Sequence, residues 1–263
     1  MSDSADKRRA YGDELFESLR DRRTVSPLTE RWTDITVDDA YHVSLRLVQR
    51  RLDTGEKIVG KKIGVTSKVV QNMLNVHTPD FGFLTDAMAY RQGQDMPISK
   101  LLIQPRAEGE IAFVMKKDLR GEGITEADVL AATDYVAPCF EIVDSRIANW
   151  KIRYEDTVSD NASCGLYVIG DDKADPRKLD LPSVKMVVQK NGAFLSEGFG
   201  SAALGSPLTC VAWLANTLGQ YGITLDAGDV VLSGSLVPLE PVVAGDVMSL
   251  HAEGIGSCSV RFT

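Results

Sequence analysis

The chain has 263 residues, of which 44% are hydrophobic and 25% charged, and its formal net charge is −8 at pH 7. This composition is typical of a globular protein with a sizeable core, so it excludes an intrinsically disordered chain. The negative charge makes nucleic acid and anionic membranes unexpected partners, but it permits a small anionic substrate because a bound cation can reverse the local potential.

Two helices are predicted at the start of the chain. Apolar residues recur every four positions from Tyr11 to Leu19, which predicts a first helix with a narrow apolar stripe. Thr36 is suited to cap a second helix, and a glycine at position 55 is suited to end it. The sequence therefore predicts an N-terminal helical portion over residues 1–57.

From Lys57 onward the pattern changes to short apolar runs separated by Gly, Pro, Asn and Asp. Seven such runs are KIVGKKIGV, EIAFVM, YVAPCFEIVD, LYVIG, VKMVVQ, DVVLSG and DVMSLH. Many short strands with few helices between them favour a β-rich domain over a doubly wound sheet. We therefore predict a β-rich catalytic domain over residues 58–263.

Two local signals refine this β-rich region. Apolar residues alternate from Val184 to Val188 and lead into Asn191-Gly192, a dipeptide that favours a type I′ hairpin turn. Near the end of the chain, Ser206 precedes a proline and an apolar helical pattern. This arrangement predicts a capped helix within the β-rich region.

The cysteines and the N-terminal segment indicate the cellular compartment. Cys139, Cys164, Cys210 and Cys258 are widely spaced and form no CxxC pair, so neither a zinc ribbon nor a disulfide framework is expected. The first residues lack the apolar segment of a signal peptide, and no stretch approaches 18 apolar residues. We expect a cytoplasmic protein that does not interact with membranes.

Three glutamates lie at positions where carboxylates are unexpected. Glu108 and Glu110 are two residues apart in the strand-like run RAEGEIAFVM, so both project from one face with Cα atoms about 6.5 Å apart. Glu141 lies within the apolar run CFEIV, where burial of a free carboxylate is costly. Converging carboxylates repel unless a cation lies between them or one is protonated. Hard oxygen ligands of this kind favour magnesium, manganese or calcium over zinc.

A purely structural explanation of the three glutamates is also open. Glu108 and Glu110 could face solvent, and Glu141 could pair with Arg106 or Arg146. The E-x-E pattern alone is only suggestive.

Other polar residues interrupt apolar runs. Lys61 and Lys62 are adjacent, so on a strand they point to opposite sides, and an inward lysine can balance a substrate carboxylate or take part in acid–base chemistry. Residues 78–82, with Asp80 at their centre, are typical of a turn. Residues 159–163 are typical of a loop or cap. A structural role remains open for each of these groups.

Five runs occur in an order that is typical of a known family. They are GKKIGVTS, TPDFG, QPRAEGEIAFVM, APCFEIVDSRIANW and DTVSDNASCGLYVIG. Together they resemble the 2-hydroxypenta-2,4-dienoate (2-oxopent-4-enoate) hydratases, in the hydratase/decarboxylase branch of the fumarylacetoacetate hydrolase superfamily. The resemblance extends over essentially the whole chain. Several ordered motifs are far more specific than the isolated E-x-E.

The resemblance implies an α+β fold with a mixed, strongly twisted, β-roll-like sheet. It also implies a Mg2+ or Mn2+ ion held by Glu108, Glu110 and Glu141. Ser206 stands where the family's G-H-P motif has its histidine, a departure that weakens any role for this position and leaves the expected metal site intact. The family often assembles into large homo-oligomers, which makes a homo-oligomer the expected state here.

The resemblance also implies a reaction and the residues that carry it. The reaction is hydration of 2-hydroxypenta-2,4-dienoate to 4-hydroxy-2-oxopentanoate, a step in aromatic-compound degradation, with the cation as a Lewis acid. The family's pocket lysine, aspartate and serine fall on Lys62, Asp80 and Ser163. We expect Lys62 to bind the substrate carboxylate or assist proton transfers and Asp80 to act as the general base for water. Ser163 is expected to orient that water or the substrate.

Three other functions remain open at this point. A 4-oxalocrotonate (2-oxo-3-hexenedioate) decarboxylase would share the fold and the metal but must hold a second substrate carboxylate. A noncatalytic cation-binding or assembly protein would keep only the scaffold. A C–C hydrolase of the fumarylpyruvate type is the weakest of the three.

Overall fold

The computed structural model describes residues 2–263 and, apart from Ser2, Asp3 and Val69, their side chains. The α-helices of this part of the chain are α1 Ser2–Asp21, α2 Leu28–Arg31, α3 Val37–Asp53, α4 Lys68–Leu74, α5 Ile98–Leu101, α6 Glu126–Ala132, α7 Tyr154–Ser159 and α8 Pro207–Gln220. None of them has both the length and the apolar character needed to cross a bilayer.

The strands begin after the first three of these helices. They are β1 Ile58–Gly64, β2 Asp80–Thr85, β3 Ala89–Arg91, β4 Asp95–Met96, β5 Arg106–Met115, β6 Thr133–Val143, β7 Leu166–Ile169, β8 Lys185–Lys190, β9 Ala193–Phe199, β10 Val230–Leu232, β11 Glu240–Pro241, β12 Val247–Ala252 and β13 Gly256–Phe262. All seven apolar runs predicted as strands form strands: β1, β5, β6, β7, β8, β10 and β12.

Both predicted N-terminal helices are confirmed. The second, α3, begins at a reciprocal cap in which Thr36 Oγ1 accepts the Asp39 N–H at 3.1 Å and Asp39 Oδ2 accepts the Thr36 N–H at 3.0 Å. The chain leaves α3 through Gly55, whose φ of +100° is accessible to glycine without strain. Helix α1 packs against α3, and Leu15 and Leu47 are buried.

The strands form two sheets. The larger sheet has the order β2-β1-β10-β5-β6-β7-β3, with β11 also paired to β5. The pairs β1–β10 and β3–β7 are parallel and the other pairs of this sheet are antiparallel. The smaller sheet has the order β4-β13-β12-β8-β9. The predicted α+β class with a mixed sheet is therefore confirmed.

The central pair of the larger sheet determines where the three glutamates lie. Strands β5 and β6 run antiparallel over almost their whole lengths, with Glu108 directly opposite Glu141. Residues alternate between the two faces of a strand, so Phe113 projects from the opposite face of β5 and is fully buried there. One face of β5 thus contributes to the apolar core, and the other carries the carboxylates.

The two local signals in the β-rich region are confirmed. Strands β8 and β9 form a hairpin through Asn191 and Gly192, whose φ values of +54° and +81° are both in the left-handed region that a type I′ turn requires. Ser206 caps α8 by accepting the Leu208 N–H at 3.2 Å. The side chain of Ser206 therefore serves a helix end.

The turn predicted for residues 78–82 is wrong in its second half. Asp80 is the first residue of β2, which pairs antiparallel with β1 in a register that places it opposite Gly64. Every residue of β2 is buried. The local Pro-Asp and Phe-Gly signals favour a turn, but pairing with β1 and burial on both faces outweigh them.

The boundary predicted at residue 57 lies between the end of α3 at Asp53 and the start of β1 at Ile58. The buried apolar residues of both parts nevertheless form one continuous cluster. For example, Tyr41 of α3 stacks on Phe81 of β2 with ring centroids 4.3 Å apart. The division into a helical portion and a β-rich catalytic domain stays a prediction.

Candidate active site

The three glutamates meet at one point of the larger sheet. Glu108 and Glu110 project from the same face of β5, and Glu141 projects from β6 beside them. One carboxylate oxygen from each residue lies within 4.8 Å of those of the other two. Glu110 and Glu141 are 0% and 1% exposed, and Glu108 is half-buried. The alternative in which Glu108 and Glu110 lie on a solvated face is wrong.

The environment of these carboxylates is unfavourable for three negative charges. Burial raises the pKa of each, and repulsion from the neighbouring glutamates raises the pKa of Glu110 and Glu141 further. Glu110 Oε2 accepts the N–H of Gly234 at 2.8 Å, whereas Glu110 Oε1 and both oxygens of Glu141 are buried without a hydrogen bond. Unsatisfied buried oxygens of this kind are unusual in folded proteins. A divalent cation would satisfy them, so the three residues fit a hard metal ion.

Lys62 provides positive charge at this site. Its side chain is 2% exposed, and Nζ lies 3.2 Å from Glu141 Oε1 in an ion pair without hydrogen-bond geometry. Burial lowers the pKa of Lys62, but the attraction of Glu141 and the other acidic groups around it outweighs burial and leaves the pKa above its usual value. These surroundings favour the protonated form of Lys62.

The neighbouring Lys61 has a separate partner. It points to the other side of β1 and forms a buried ion pair with Asp229. This result confirms that the two lysines face opposite sides. Only one of them contributes to the glutamate site.

Asp80 lies beside Lys62, at the start of the neighbouring strand β2. A Cβ atom built on Gly64 would lie 2.3 Å from Asp80 Oδ1 and 3.2 Å from Lys62 Nζ, so a glycine is needed where the two groups approach. Burial raises the pKa of Asp80, while the charge of Lys62 and a hydrogen bond from Thr157 act in the opposite direction. Asp80 Oδ1 has no hydrogen-bond partner. A buried carboxylate with a free oxygen is suited to accept a proton.

Ser163 is connected to Asp80 through Thr157. The Thr157 hydroxyl donates to Asp80 Oδ2 at 3.3 Å and lies 3.3 Å from Ser163 Oγ. All three side chains are buried. The structure thus brings the predicted Lys62, Asp80 and Ser163 to one region. Thr157 belongs to the same DTVSDNAS run, but no pattern in the sequence singled it out.

The two arginines considered as partners of Glu141 bind elsewhere. The guanidinium of Arg146 pairs with Asp160 at 2.5 Å, and that of Arg106 lies over the Trp150 ring at 4.7 Å from its centroid. The alternative of an arginine–Glu141 pair is therefore wrong. The partner of Glu141 is Lys62.

An open cleft of about 410 Å3 lies between α4 and α7. Its lining includes Tyr154, whose hydroxyl donates to the carbonyl oxygen of Pro79 at 2.6 Å, one residue before Asp80. The apolar residues Met73 and Ile152 also line it. Neither the three glutamates nor Asp80 lines it, and Tyr154 connects it to the residue before Asp80.

The comparison with known families gives the class of the protein. Residues 57–263 match the model of the fumarylacetoacetate (FAA) hydrolase C-terminal family. The chain belongs to the fumarylacetoacetate hydrolase family. The resemblance seen in the sequence motifs is thereby confirmed.

Named relatives narrow the class further. The chain is 58% identical over 253 residues to a 2-hydroxyhexa-2,4-dienoate hydratase of Comamonas testosteroni, with 96% of each chain covered. It is 66% identical over 212 residues to a 2-hydroxypent-2,4-dienoate hydratase of Pseudomonas putida, covering 81% of this chain and 96% of the relative. The prediction of a hydro-lyase is confirmed by these relatives.

A solved structure supports the predicted fold. A 4-oxalocrotonate decarboxylase from Pseudomonas putida G7, complexed with magnesium and adipate, matches with a TM-score of 0.95 at 36% identity. The match covers 98% of both chains. The predicted twisted, roll-like sheet of this superfamily is therefore confirmed.

Proposed function

We propose that this protein is a cation-dependent hydratase that adds water to 2-hydroxypenta-2,4-dienoate to give 4-hydroxy-2-oxopentanoate, as part of aromatic-compound degradation. The observation that carries the proposal is the convergence of three carboxylates next to a buried lysine and a buried aspartate. The hydratase names of the relatives at 58% and 66% identity support it. A cytoplasmic location and a homo-oligomeric state stay predictions from the sequence.

The proposed ligands of the cation are Glu108, Glu110 and Glu141, and the proposed ion is Mg2+ or Mn2+. Carboxylate-only ligation is typical of these hard ions, and the solved relative at 36% identity was complexed with magnesium. When bound, the ion would supply Lewis-acid stabilisation of the negative charge that develops on the C2 oxygen of the substrate. The three glutamates would hold the ion on the face of β5 and β6 where the substrate is proposed to bind.

Lys62, Asp80 and Ser163 have distinct roles in the proposed reaction. The Lys62 ammonium pairs with the substrate C1 carboxylate, and a divalent charge on the glutamates would make the Lys62 proton easier to transfer. Transfer of the C2 hydroxyl proton to C5 gives a 2-oxo-3-enoate, whose C4 is electrophilic. Asp80 takes a proton from the water that adds at C4, and a proton delivered at C3 completes the net addition of one water. Ser163, through Thr157, orients the Asp80 carboxylate.

A decarboxylase acting on 2-oxo-3-hexenedioate is the second candidate, and Arg106 is the observation that favours it. Arg106 lies two residues before Glu108 on the same face of β5, where a guanidinium could hold a second carboxylate. Arg106 is half-buried; among the described residues the buried cations other than Lys62 are Arg51, Lys61 and Arg146, and each of these pairs with a carboxylate of the protein. The stacking of Arg106 on Trp150 favours a structural role for it, so the hydratase remains the first candidate.

The test of the proposed function is an assay of both reactions on the same preparation. We expect consumption of 2-hydroxypenta-2,4-dienoate and formation of 4-hydroxy-2-oxopentanoate with Mg2+ or Mn2+, loss of both on chelation, and recovery when the ion is restored. Release of carbon dioxide from 2-oxo-3-hexenedioate at a higher kcat/KM would instead identify a decarboxylase. Calorimetric binding of the ion with no turnover of either substrate would identify a noncatalytic protein.

The pH dependence of kcat/KM provides a specific test of Asp80 as the base. Because burial raises its pKa, the acid limb should lie above the usual value of 3.8, with activity lost as the pH falls through that limb. Thr157→Val removes a hydrogen bond that stabilises the charged form, so it should move the limb to still higher pH. Asp80→Asn should remove nearly all turnover. A limb at the same pH in Thr157→Val would show that another group is responsible.

A further inference from the structure

The turn that carries Ser163 has an unfavourable backbone conformation. Asn161, Ala162 and Ser163 have φ values of +53°, +50° and +54°. Residues with a side chain rarely adopt this left-handed region, and three consecutive cases are rarer still. Contacts outside the turn must therefore hold it in place.

Arg146 makes contacts of this kind at both ends of the turn. Its Nη2 donates to the carbonyl oxygen of Asp160 at 2.5 Å, and its Nη1 donates to the carbonyl oxygen of Cys164 at 2.8 Å. Its Nε also donates to Asp160 Oδ1 at 2.5 Å. The side chain is 1% exposed and is the largest of the fully buried ones among the described residues. One planar guanidinium thus connects the residue before the left-handed segment with the residue after it.

Two sets of contacts connect this turn to the region of Asp80, the candidate base. The Asn161 side chain accepts the N–H of Phe83 at 2.8 Å and donates to the Phe83 carbonyl at 3.0 Å, which fixes it to β2, the strand that starts at Asp80. Ser163 contacts Thr157, and Thr157 donates to Asp80. A shift of residues 160–164 would therefore move Ser163 and change its contact with Thr157, the hydrogen-bond donor to Asp80.

We propose that Arg146 is a positioning residue for the reaction, because it clamps residues 160–164 in the left-handed turn that places Ser163 against Thr157, the residue that donates to Asp80. This inference rests on the proposed function for its kinetic consequence. A lysine at position 146 would keep the positive charge but lacks the planar fork that spans the two carbonyl oxygens. Arg146 lies outside the three-glutamate group, so its effect should fall on the chemical step and not on cation binding.

The test compares Arg146→Lys with the wild-type protein. We expect kcat to fall about 100-fold, since small displacements of catalytic groups have effects of this size. KM and the calorimetric affinity for Mn2+ should change by less than about threefold, because the glutamates and Lys62 are untouched. Backbone amides of residues 160–164 should exchange with deuterium faster, because the turn opens more often. Ala162→Gly in the Arg146→Lys background should recover part of the lost kcat, because glycine adopts positive φ without strain.

Arg51→Lys is the matched control. Arg51 is also a buried arginine, but its guanidinium binds Glu56 and Thr85, at the end of β2 away from Asp80. We expect this variant to lose stability while kcat and exchange of residues 160–164 stay at wild-type values. An equal loss of kcat in both variants, or an unchanged kcat in Arg146→Lys, would overturn the proposal.

A second variant covers the case in which Arg146→Lys does not fold. Arg146→Met with Asp160→Leu replaces the buried pair by apolar side chains of similar size, which buried ion pairs often tolerate. It loses the same bonds to the carbonyl oxygens, so kcat must fall and exchange must rise in it as well. The exchange measurement needs no substrate. If the proposed hydratase activity is absent, the exchange measurement still tests whether Arg146 holds residues 160–164.

Discussion

Glu110→Gln is expected to abolish cation-dependent turnover and, at the same time, to stabilise the cation-free protein. The loss of turnover should be at least about 1000-fold, because Lewis-acid stabilisation contributes several kcal/mol. The gain in stability follows from burial and from repulsion by Glu108 and Glu141, which together raise the pKa of Glu110 well above its usual value. A neutral amide removes this unfavourable charge while its oxygen can still accept the Gly234 N–H.

The measurement combines turnover with the melting temperature in the presence of chelator and of excess Mn2+. Wild-type protein should gain thermal stability from Mn2+, whereas Glu110→Gln should melt higher than wild type in chelator and gain little from the ion. Glu197→Gln, at an ion pair with Lys185 near the surface, serves as the control and should leave turnover unchanged. Retention of Mn2+-dependent activity in Glu110→Gln would remove this residue from the proposed ligands.

Lys62→Met is expected to have the second largest effect. Turnover should fall at least about 1000-fold, because the variant loses both the counter-charge for the substrate carboxylate and a proton donor. Cation binding should be retained or strengthened, because the ammonium 3.2 Å from Glu141 competes with the ion for that carboxylate. Loss of turnover without loss of cation binding would distinguish a role of Lys62 in the chemistry from a general disruption of the site.

The control for Lys62→Met is the adjacent lysine. Lys61→Met combined with Asp229→Asn removes the buried pair on the other face of β1 without leaving an unpaired charge. This double variant should lose some stability but keep turnover within about threefold of wild type. A loss of cation affinity in Lys62→Met, or an equal loss of turnover in the double variant, would contradict the assigned role.

The glutamate site was largely predictable from local pattern. Strand periodicity places Glu108 and Glu110 on one face, and the apolar residues around Glu141 indicate burial, because both properties depend only on neighbours in sequence. The helix ends at Thr36 and Ser206 were predictable for the same reason. Capping depends on a few adjacent residues.

Contacts between distant segments were not predictable in this way. Gly234, whose N–H donates to Glu110 Oε2, is 124 positions away in the chain, and nothing near it marks its N–H as a partner. Asp80 was assigned to a turn because pairing of β2 with β1 is a tertiary effect. The sequence suggested Arg146 as a neighbour of Glu141, but which of several nearby carboxylates it pairs with depends on the path of residues 160–164.

The two adjacent lysines of β1 have a consequence for how the sheet assembles. A slip of β1 by one residue would still present a lysine to each side, so charge alone does not determine the alignment of this strand. The glycines do. At position 60 a Cβ atom would lie 2.1 Å from the Val230 carbonyl oxygen, and at position 64 it would collide with Asp80. In a strand shifted by one residue, larger residues would occupy the places of Gly60 and Gly64 and would clash with the neighbouring strands. The two glycines therefore disfavour the misaligned sheet.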